Sequence, residues 1–295
     1  AEKLPGVVKI VPIDTTYGHG FGIIAENTWA AFKAAEAIEA TWADADYPLD
    51  SAAVTDRLIQ GLGEDGWSLR NDGDVDAAFA AAKPERVIEA DYAVPYLAHM
   101  TMEPMNTTAQ FKDGTLDIWC GNQSPTLLRQ LCAGQIGIET DKVNVHTTSL
   151  GGGFGRRLEL DYALYASVLA AAAEGRPVKV TWTREEDTTH DAYRPAAVGK
   201  FRAVLGDDGL PVAVDMKMAS PSIIAGVMRR MFPSLSPVGP DKYIFDAAYD
   251  QPYTVANYKV SGVAVPVAIP AGFWRSVGAS INGFFHEAFM DEIAV

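Results

Sequence analysis

The feature that most constrains this chain is a glycine-rich stretch between a predicted strand and a predicted helix. Residues 143–148 alternate Val and Thr with polar side chains, which is typical of a strand. Gly-Gly-Gly-Phe-Gly follows at residues 151–155. The next segment is rich in Ala and Leu up to Glu174 and then reaches Gly175, which predicts a helix with a C-terminal glycine cap. Strand, glycine loop and helix in this order predict backbone N–H groups that can bind an anion at a helix N-terminus.

Two interpretations of this loop remain open from the residues alone. Glycine lets the backbone adopt positive φ and approach a ligand closely, and Arg156 and Arg157 stand where they could neutralise a bound anion. Alternatively, the loop is a tight structural turn in which Phe154 is anchored in the core. The stretch does not match the known nucleotide-binding loops. The stretch lacks the glycine spacing of dinucleotide-binding loops and the Gly-Lys-Ser/Thr ending of phosphate-binding loops.

Motifs on both sides of the loop carry a family resemblance. The chain has His-Met-Thr-Met-Glu-Pro-Met-Asn at residues 99–106, Gly-Asn-Gln-Ser-Pro at 121–125 and Phe-Trp-Arg-Ser-Val-Gly at 273–278. In order and spacing, these motifs and the glycine loop resemble the molybdenum-binding large subunit of the xanthine oxidase/aldehyde oxidoreductase family. The variants found here are most similar to those of the isoquinoline 1-oxidoreductase β-subunit and its membrane-associated aldehyde dehydrogenase relatives.

The resemblance implies a cofactor and a set of residues that hold it. The cofactor would be molybdopterin carrying molybdenum, in the cytosine dinucleotide form, with no direct protein ligand to the metal. Gln123, at a predicted strand end just before a helix, would donate to an oxo ligand of molybdenum, with the Phe154 backbone against the same centre. The implied cofactor-binding residues are Gln123, Gly151, Gly152, Gly153, Phe154, Gly155, Arg156, Arg157, Arg275, Ser276 and Val277.

The resemblance also implies a reaction and partners. The reaction would be hydroxylation of an aldehyde or N-heteroaromatic carbon with water as the oxygen source. Electrons would pass through the pterin to iron–sulfur clusters on a small partner subunit, and the branch allows a cytochrome c subunit as well. The family's general-base glutamate is expected beyond residue 295, so we expect this stretch to be a fragment that is inactive alone. A periplasmic or cytoplasmic-membrane-associated location is suggested by the resemblance only.

Composition excludes several other classes. The 295 residues carry a formal net charge of −14, which argues against nucleic acid or an anionic membrane as a partner. The longest apolar run, near residues 163–173, is too short to span a bilayer and predicts a buried helix. Cys120 and Cys132 are too few for an iron–sulfur site and are expected to be buried free thiols. The histidines lack metal-ligand spacing, so any metal must arrive with an organic cofactor.

The element pattern predicts an α+β protein, in which a partial hammerhead α/β domain is followed by a mixed α/β molybdopterin-binding domain. Residues 1–45 are the partial hammerhead, with a helix over 29–41 capped by Asn27 or Thr28. Residues 46–85 are predicted to be an acidic connecting segment on the surface. Residues 86–295 are the molybdenum-cofactor domain, truncated at its C-terminus. Within it, residues 220–240 are either a mobile lining of a substrate entrance or an irregular surface loop.

Glu103 lies among apolar neighbours and is a candidate substrate contact. If it were buried, its pKa would be raised and it could act as an acid or base. The simpler interpretation, which we favour, is that it accepts backbone hydrogen bonds. Leu158 follows the two arginines where xanthine oxidase relatives usually have a glutamate, so xanthine-type substrate contacts cannot be transferred.

Two other functions remain open. The first is a non-catalytic binding or assembly module with a structural glycine loop. The second is a nicotinamide enzyme that uses the same loop. The nicotinamide interpretation lacks an acidic ribose partner about twenty residues on, because the strand that ends near residues 181–183 has none.

Overall fold

The computed structural model describes residues 1–48 and 50–295. The chain divides into two compact units. The first contains residues 1–44, 98–192 and 229–234. The second contains residues 45–97, 193–228 and 235–295, of which residue 49 lies outside the described part.

The first unit contains a β-hairpin and a four-stranded sheet. The hairpin is formed by β1 (Val7–Thr15) and β2 (Gly18–Ala25), and α1 (Thr28–Glu36) follows it. The sheet has the strand order β7 (Val143–Thr147), β6 (Thr115–Cys120), β5 (Asn106–Lys112) and β8 (Val178–Thr181). Strands β6 and β7 are parallel and the other pairs are antiparallel. The remaining helices are α4 (Pro125–Ile136), α5 (Asp161–Ala172) and α6 (Arg184–Thr189).

Helix α5 lies at the centre of this unit. It is apolar on all sides, as expected for a helix that is covered on all sides. Leu164 and Ala166 pack with Leu116 and Ile118 of the sheet, and all four are at most 2% exposed. Gly22 of β2 also approaches the helix, because a Cβ there would lie 2.5 Å from a Leu169 methyl carbon. This packing fixes the helix that follows the glycine loop.

The second unit is built on a five-stranded sheet. Its order is β3 (Trp67–Asp72), β11 (Asn257–Ala264), β10 (Pro211–Ser220), β9 (Ala197–Leu205) and β4 (Val87–Val94). Strands β10 and β11 are parallel and the other pairs are antiparallel. The helices are α2 (Ser51–Gly61), α3 (Val75–Ala81), α7 (Ile223–Met231, whose last residues are grouped with the first unit) and α8 (Ala279–Ala294). Phe285 and Phe289 of α8 pack on Phe201 of β9, and all three are fully buried.

Several expectations from the sequence are confirmed. The mixed α/β class is correct. Asn27 caps α1 by accepting a hydrogen bond from Ala30 N, and α4 begins at Pro125, just after Gln123, as predicted. Cys120 and Cys132 are buried free thiols. Burial raises the pKa of Cys120 to about 11, although a hydrogen bond from Asn122 opposes the shift.

Other elements differ from the expectation. Helix α1 ends at Glu36 instead of residue 41, and Trp42 is 86% exposed, because Ala34 is the buried residue of the helix and little packing supports a further turn. Residues 67–72, inside the predicted connecting segment, form an edge strand. Residues 106–112 form β5, although their polar composition hid the alternation of buried and exposed positions. Residues 223–231 form a helix instead of a loop. The domain boundaries themselves stay a prediction.

Candidate functional site

The glycine loop connects β7 to α5, with a short 3-10 turn (Arg156–Leu158) before the helix begins at Asp161. The loop is therefore separated from the helix N-terminus, and its own conformation must supply the anion-binding geometry. Gly152, Phe154 and Gly155 have φ of 105°, 55° and 109°. Two of these three positions are glycine because an L-residue rarely adopts positive φ.

Three successive carbonyl groups of the loop are bound by the protein. Gly151 O accepts from Glu103 N at 3.0 Å, and Gly152 O accepts from Arg157 Nε at 2.8 Å. Gly153 O accepts from Arg156 N at 2.9 Å. In a trans peptide the N–H points opposite to the carbonyl of the preceding residue. The N–H groups of Gly152, Gly153 and Phe154 therefore point away from the donors that bind the carbonyl of the preceding residue.

These three N–H groups have no acceptor among the described residues, whereas their neighbours do. Gly151 N donates to Glu103 Oε2 at 2.8 Å, and Gly155 N donates to Gln123 Oε1 at 3.1 Å. Successive backbone N–H groups without protein acceptors are a common way to bind an anion or an oxygen ligand. The loop thus offers three main-chain donors with both ends fixed.

Gln123 lies between the end of β6 and the start of α4, as predicted, and faces the glycine loop. Its main-chain N–H donates to Arg157 O at 3.1 Å. Because its side-chain oxygen accepts from Gly155, the amide Nε2 is left as a donor on an exposed residue, with no acceptor in the described part of the chain. A Cβ on Gly153 would lie 2.7 Å from Gln123 Oε1, so the close approach requires glycine there. Gln123 and the loop amides are brought together.

Phe154 is 46% exposed. It is therefore not a core anchor, which was the basis of the structural-turn interpretation. Its ring lies over the loop, 3.1 Å from where a Cβ on Gly152 would stand. The aromatic side chain covers the loop backbone on the surface of the first unit.

The side chains of Arg156 and Arg157 are buried in the protein and do not neutralise an anion directly, although the sequence predicted that they could. Their exposed fractions are 1% and 0%, and both guanidinium groups bind protein acceptors. Arg156 pairs with Asp161, with Nη–Oδ distances of 3.0 and 2.8 Å, and its Nε lies 3.3 Å from Asp191. Burial lowers the pKa of Arg156, but the charge and hydrogen bonds of Asp161 outweigh burial and raise it overall. Both arginines hold the loop framework.

The contacts of Glu103 support the interpretation that its carboxylate accepts hydrogen bonds. Its carboxylate accepts from Gly151 N, from Asn106 Nδ2 at 2.9 Å and from Arg157 Nη2 at 2.6 Å. Burial alone would raise the pKa of Glu103, but hydrogen bonds from Asn106 and Gly151 and the charge of Arg157 together lower it below its usual range. A carboxylate stabilised in this way is a poor general acid or base at neutral pH.

Arg275, Ser276 and Val277 belong to the second unit and form the turn before α8. Ser276 and Val277 have φ of 71° and 51°. Positive φ is uncommon for any residue other than glycine, and it is especially unusual for the β-branched Val277. A Cβ on Gly278 would lie 1.7 Å from the Tyr243 carbonyl oxygen, so the turn is pressed against the backbone there. The Arg275 side chain is exposed and has no ion pair among the described residues. It is the cation of this set that remains available to a ligand.

Sequence reasoning missed the acidic residues that hold the arginines. Asp161 and Asp191 are 5% and 3% exposed, and His99 lies 2.9 Å from Asp191 through Nδ1. Asp161 stands five residues after Arg156, near the predicted helix start, but its pairing with that arginine follows from burial in the tertiary structure. Asp191 carries no comparable local signal.

Two features are absent from residues 1–48 and 50–295. No group of three His, Cys, Asp or Glu side chains is placed to hold a metal ion. No described helix combines the length and apolarity that crossing a bilayer requires.

Solved structures of oxidoreductases share the architecture of this chain. The chain superposes on the aldehyde oxidoreductase from Desulfovibrio gigas with a TM-score of 0.73 at 17% identity, covering 100% of this chain and 36% of that one. Quinoline 2-oxidoreductase from Pseudomonas putida 86 gives a TM-score of 0.76 at 17% identity, covering 99% and 41%. At this identity the similarity concerns the fold.

The chain belongs to the molybdopterin cofactor-binding domain family, whose model matches residues 62–295. It is 30% identical to a protein from Gluconacetobacter polyoxogenes named membrane-bound aldehyde dehydrogenase (pyrroloquinoline-quinone), over 100% of this chain and 39% of that one. It is 28% identical to isoquinoline 1-oxidoreductase subunit beta from Brevundimonas diminuta, over 100% and 38%. The resemblance to the xanthine oxidase/aldehyde oxidoreductase family is therefore confirmed, and the chain spans under two-fifths of these relatives' length.

Proposed function

We propose that the chain forms the molybdopterin-binding part of the large subunit of a molybdenum hydroxylase. The observation that carries this proposal is the run of three main-chain N–H groups, at Gly152, Gly153 and Phe154, that have no acceptor in the described protein. A phosphorylated, oxygen-rich cofactor needs such donors, and the loop offers them without an added positive charge. The donor set therefore fits the cofactor that the family binds.

The proposed binding residues fall into two groups. In the first unit, the N–H groups of Gly152, Gly153 and Phe154 and the Gln123 side-chain amide contact the cofactor. Gly151 and Gly155 fix the two ends of the loop, and Arg156 and Arg157 act through the loop backbone. In the second unit, the Arg275 guanidinium binds an anionic group, aided by the strained turn of Ser276 and Val277. Residues in strained conformations cluster at ligand sites, because surrounding structure must stabilise them.

The bound cofactor would supply the two-electron redox chemistry of the reaction. The residues of this chain orient it: the loop amides fix its oxygen atoms, Gln123 donates a hydrogen bond without adding charge, and Phe154 limits the access of water to the loop. The cytosine dinucleotide form of the cofactor is part of the proposal. The general base is proposed to be the family's glutamate, which is expected beyond residue 295.

The substrate class is an aldehyde or an N-heteroaromatic compound, oxidised with water as the oxygen source. Relatives named as aldehyde dehydrogenase, isoquinoline 1-oxidoreductase and nicotinate dehydrogenase support this class. Their names as subunits also support a multi-chain assembly. The proposed partners are a small iron–sulfur subunit and a cytochrome c subunit as the electron acceptor.

Metal and cofactor analysis of the full-length protein, isolated with its partners, tests this proposal. We expect about one molybdenum and one pterin per large subunit, with cytosine released on acid hydrolysis. Active protein that contains pyrroloquinoline quinone and no molybdenum would overturn the proposal. A full-length protein with neither cofactor nor activity would favour the non-catalytic binding module.

A further inference from the structure

The Arg157 side chain joins three separate segments around the glycine loop. Its Nε donates to Gly152 O at 2.8 Å, and its Nη1 donates to Gly121 O at 3.2 Å. Its Nη2 donates to the main-chain oxygen of Glu103 at 3.2 Å and to the Glu103 carboxylate at 2.6 Å. One fully buried guanidinium therefore ties the loop, the end of the strand before Gln123 and the turn that contains Glu103.

The bond to Gly152 O determines which way one of the three proposed cofactor donors points. Gly152 O and Gly153 N–H belong to the same peptide plane and point in opposite directions. As long as Arg157 holds the carbonyl, the Gly153 N–H is directed away from Arg157. Without that bond the plane is free to rotate, because glycine on both sides offers little resistance.

Glu103 fixes the neighbouring peptides. Both the main chain and the side chain of Glu103 bind the loop. The Glu103 N–H donates to Gly151 O, and the Glu103 carboxylate accepts from Gly151 N. A Cβ on Gly151 would lie 2.4 Å from Glu103 Cβ, so the Gly151 backbone packs directly against the Glu103 side chain. The carbonyl that adjoins the Gly152 N–H is thereby held from the Glu103 side.

We infer that Arg157 and Glu103 are positioning residues that set the orientation of the loop N–H groups toward the cofactor. The inference rests on the proposed function. A lysine cannot replace Arg157, because one ammonium group cannot reach the separated oxygens that the planar guanidinium binds. Carbonyl groups left unpaired in a buried site carry a penalty, so the loop would rearrange to satisfy them.

The experiment compares Arg157→Lys and Glu103→Gln with the wild-type holoenzyme, purified with its partner subunits. Molybdenum retained per large subunit is measured after dialysis, and kcat and KM are measured per molybdenum with an aldehyde substrate. We expect Arg157→Lys to lower molybdenum retention or kcat per molybdenum about 10- to 100-fold. This is the typical effect of removing a residue that orients the binding groups through hydrogen bonds. KM should stay unchanged, because neither residue is proposed to contact substrate.

Arg230→Lys is the matched control. Arg230 forms a comparable pair with Glu159, with distances of 3.0 and 2.6 Å, and Glu159 lies after the loop and not within residues 151–155. The control should lose thermal stability and retain molybdenum. If Arg157→Lys does not fold, Glu103→Gln carries the test, because it keeps the size of the side chain and leaves the main-chain contacts of Arg157 in place.

The outcomes separate this inference from the proposed function. Absence of molybdenum from the wild-type holoenzyme would refute the proposed function. A wild-type enzyme loaded with molybdenum, together with folded variants that retain wild-type molybdenum content and kcat, would overturn the positioning role alone. Equal losses in Arg157→Lys and Arg230→Lys would also overturn it, because they would indicate a general stability effect.

Discussion

The guanidinium of Arg156 and the carboxylate of Asp161 form a buried two-bond pair, with distances of 3.0 and 2.8 Å. Arg156 follows the glycine loop directly, and Asp161 is the first residue of α5. The pair therefore connects the end of the loop to the most buried helix of the first unit. The guanidinium also lies 5.3 Å from the Trp182 ring centroid, which completes its burial.

Removing one partner of this pair should destabilise the protein strongly. Asp161→Asn leaves the buried arginine with the more distant Asp191 and Asp187, and breaking a buried pair typically costs about 3–5 kcal/mol. Chemical denaturation of the full-length protein measures the change. Glu36→Gln is the control, because it removes an exposed pair with Lys33 and should cost less than about 1 kcal/mol. Equal effects of the two substitutions would refute the role given to Asp161.

Gln123→Glu tests the donor proposed for the cofactor. The carboxylate can still accept from Gly155 N, so the loop should remain in place, but the exposed N–H donor is replaced by a negative charge. We expect kcat to fall about 100-fold, which is typical when one preorganised donor is lost. Gln110→Glu is the control, since Gln110 donates to Gly175 O, at the far end of α5 from the loop. Wild-type kcat in Gln123→Glu would argue against a cofactor contact.

Two glycine substitutions separate close packing from helix propensity. In Gly153→Ala the new methyl group displaces the Gln123 side chain, so we expect molybdenum retention to fall about tenfold with a small change in stability. Gly134→Ala in α4 meets nothing within 4 Å and should stabilise the helix by about 0.5–1 kcal/mol. Metal analysis and thermal unfolding distinguish these results. A Gly153→Ala protein with full molybdenum content would contradict the close-approach argument.

The lowered pKa of Glu103 predicts that the stability of the protein depends on pH. Its pKa is lower in the folded state than in the unfolded chain, so its stabilising contribution is complete above the ordinary glutamate pKa. That contribution is lost as the pH falls through the lower folded-state pKa. The difference in unfolding free energy between wild type and Glu103→Gln should therefore shrink from pH 7 toward pH 3. A difference that stays constant across this range would exclude the ionised pair as its source.

Local signals predicted much of the fold but little of how the loop is held. Pro125 marks the start of α4 and Asn27 caps α1, because helix starts depend on neighbouring residues. Strand β5 was missed because Thr107 is polar yet fully buried. The contacts of Arg157 were also beyond prediction, since they join residues 36 and 54 positions away along the chain. Motif similarity located the loop residues, but their hydrogen bonds depend on the tertiary structure.

The most direct test of the central claim is hydrogen exchange at the glycine loop in the full-length protein, with and without its cofactor. Residue-resolved exchange of residues 148–158 distinguishes the three N–H groups without protein acceptors from their bonded neighbours. We predict that Gly152, Gly153 and Phe154 become protected when the cofactor is bound, while Gly151 and Gly155 change little. Equal exchange of these three amides in the loaded and cofactor-free proteins would contradict the account.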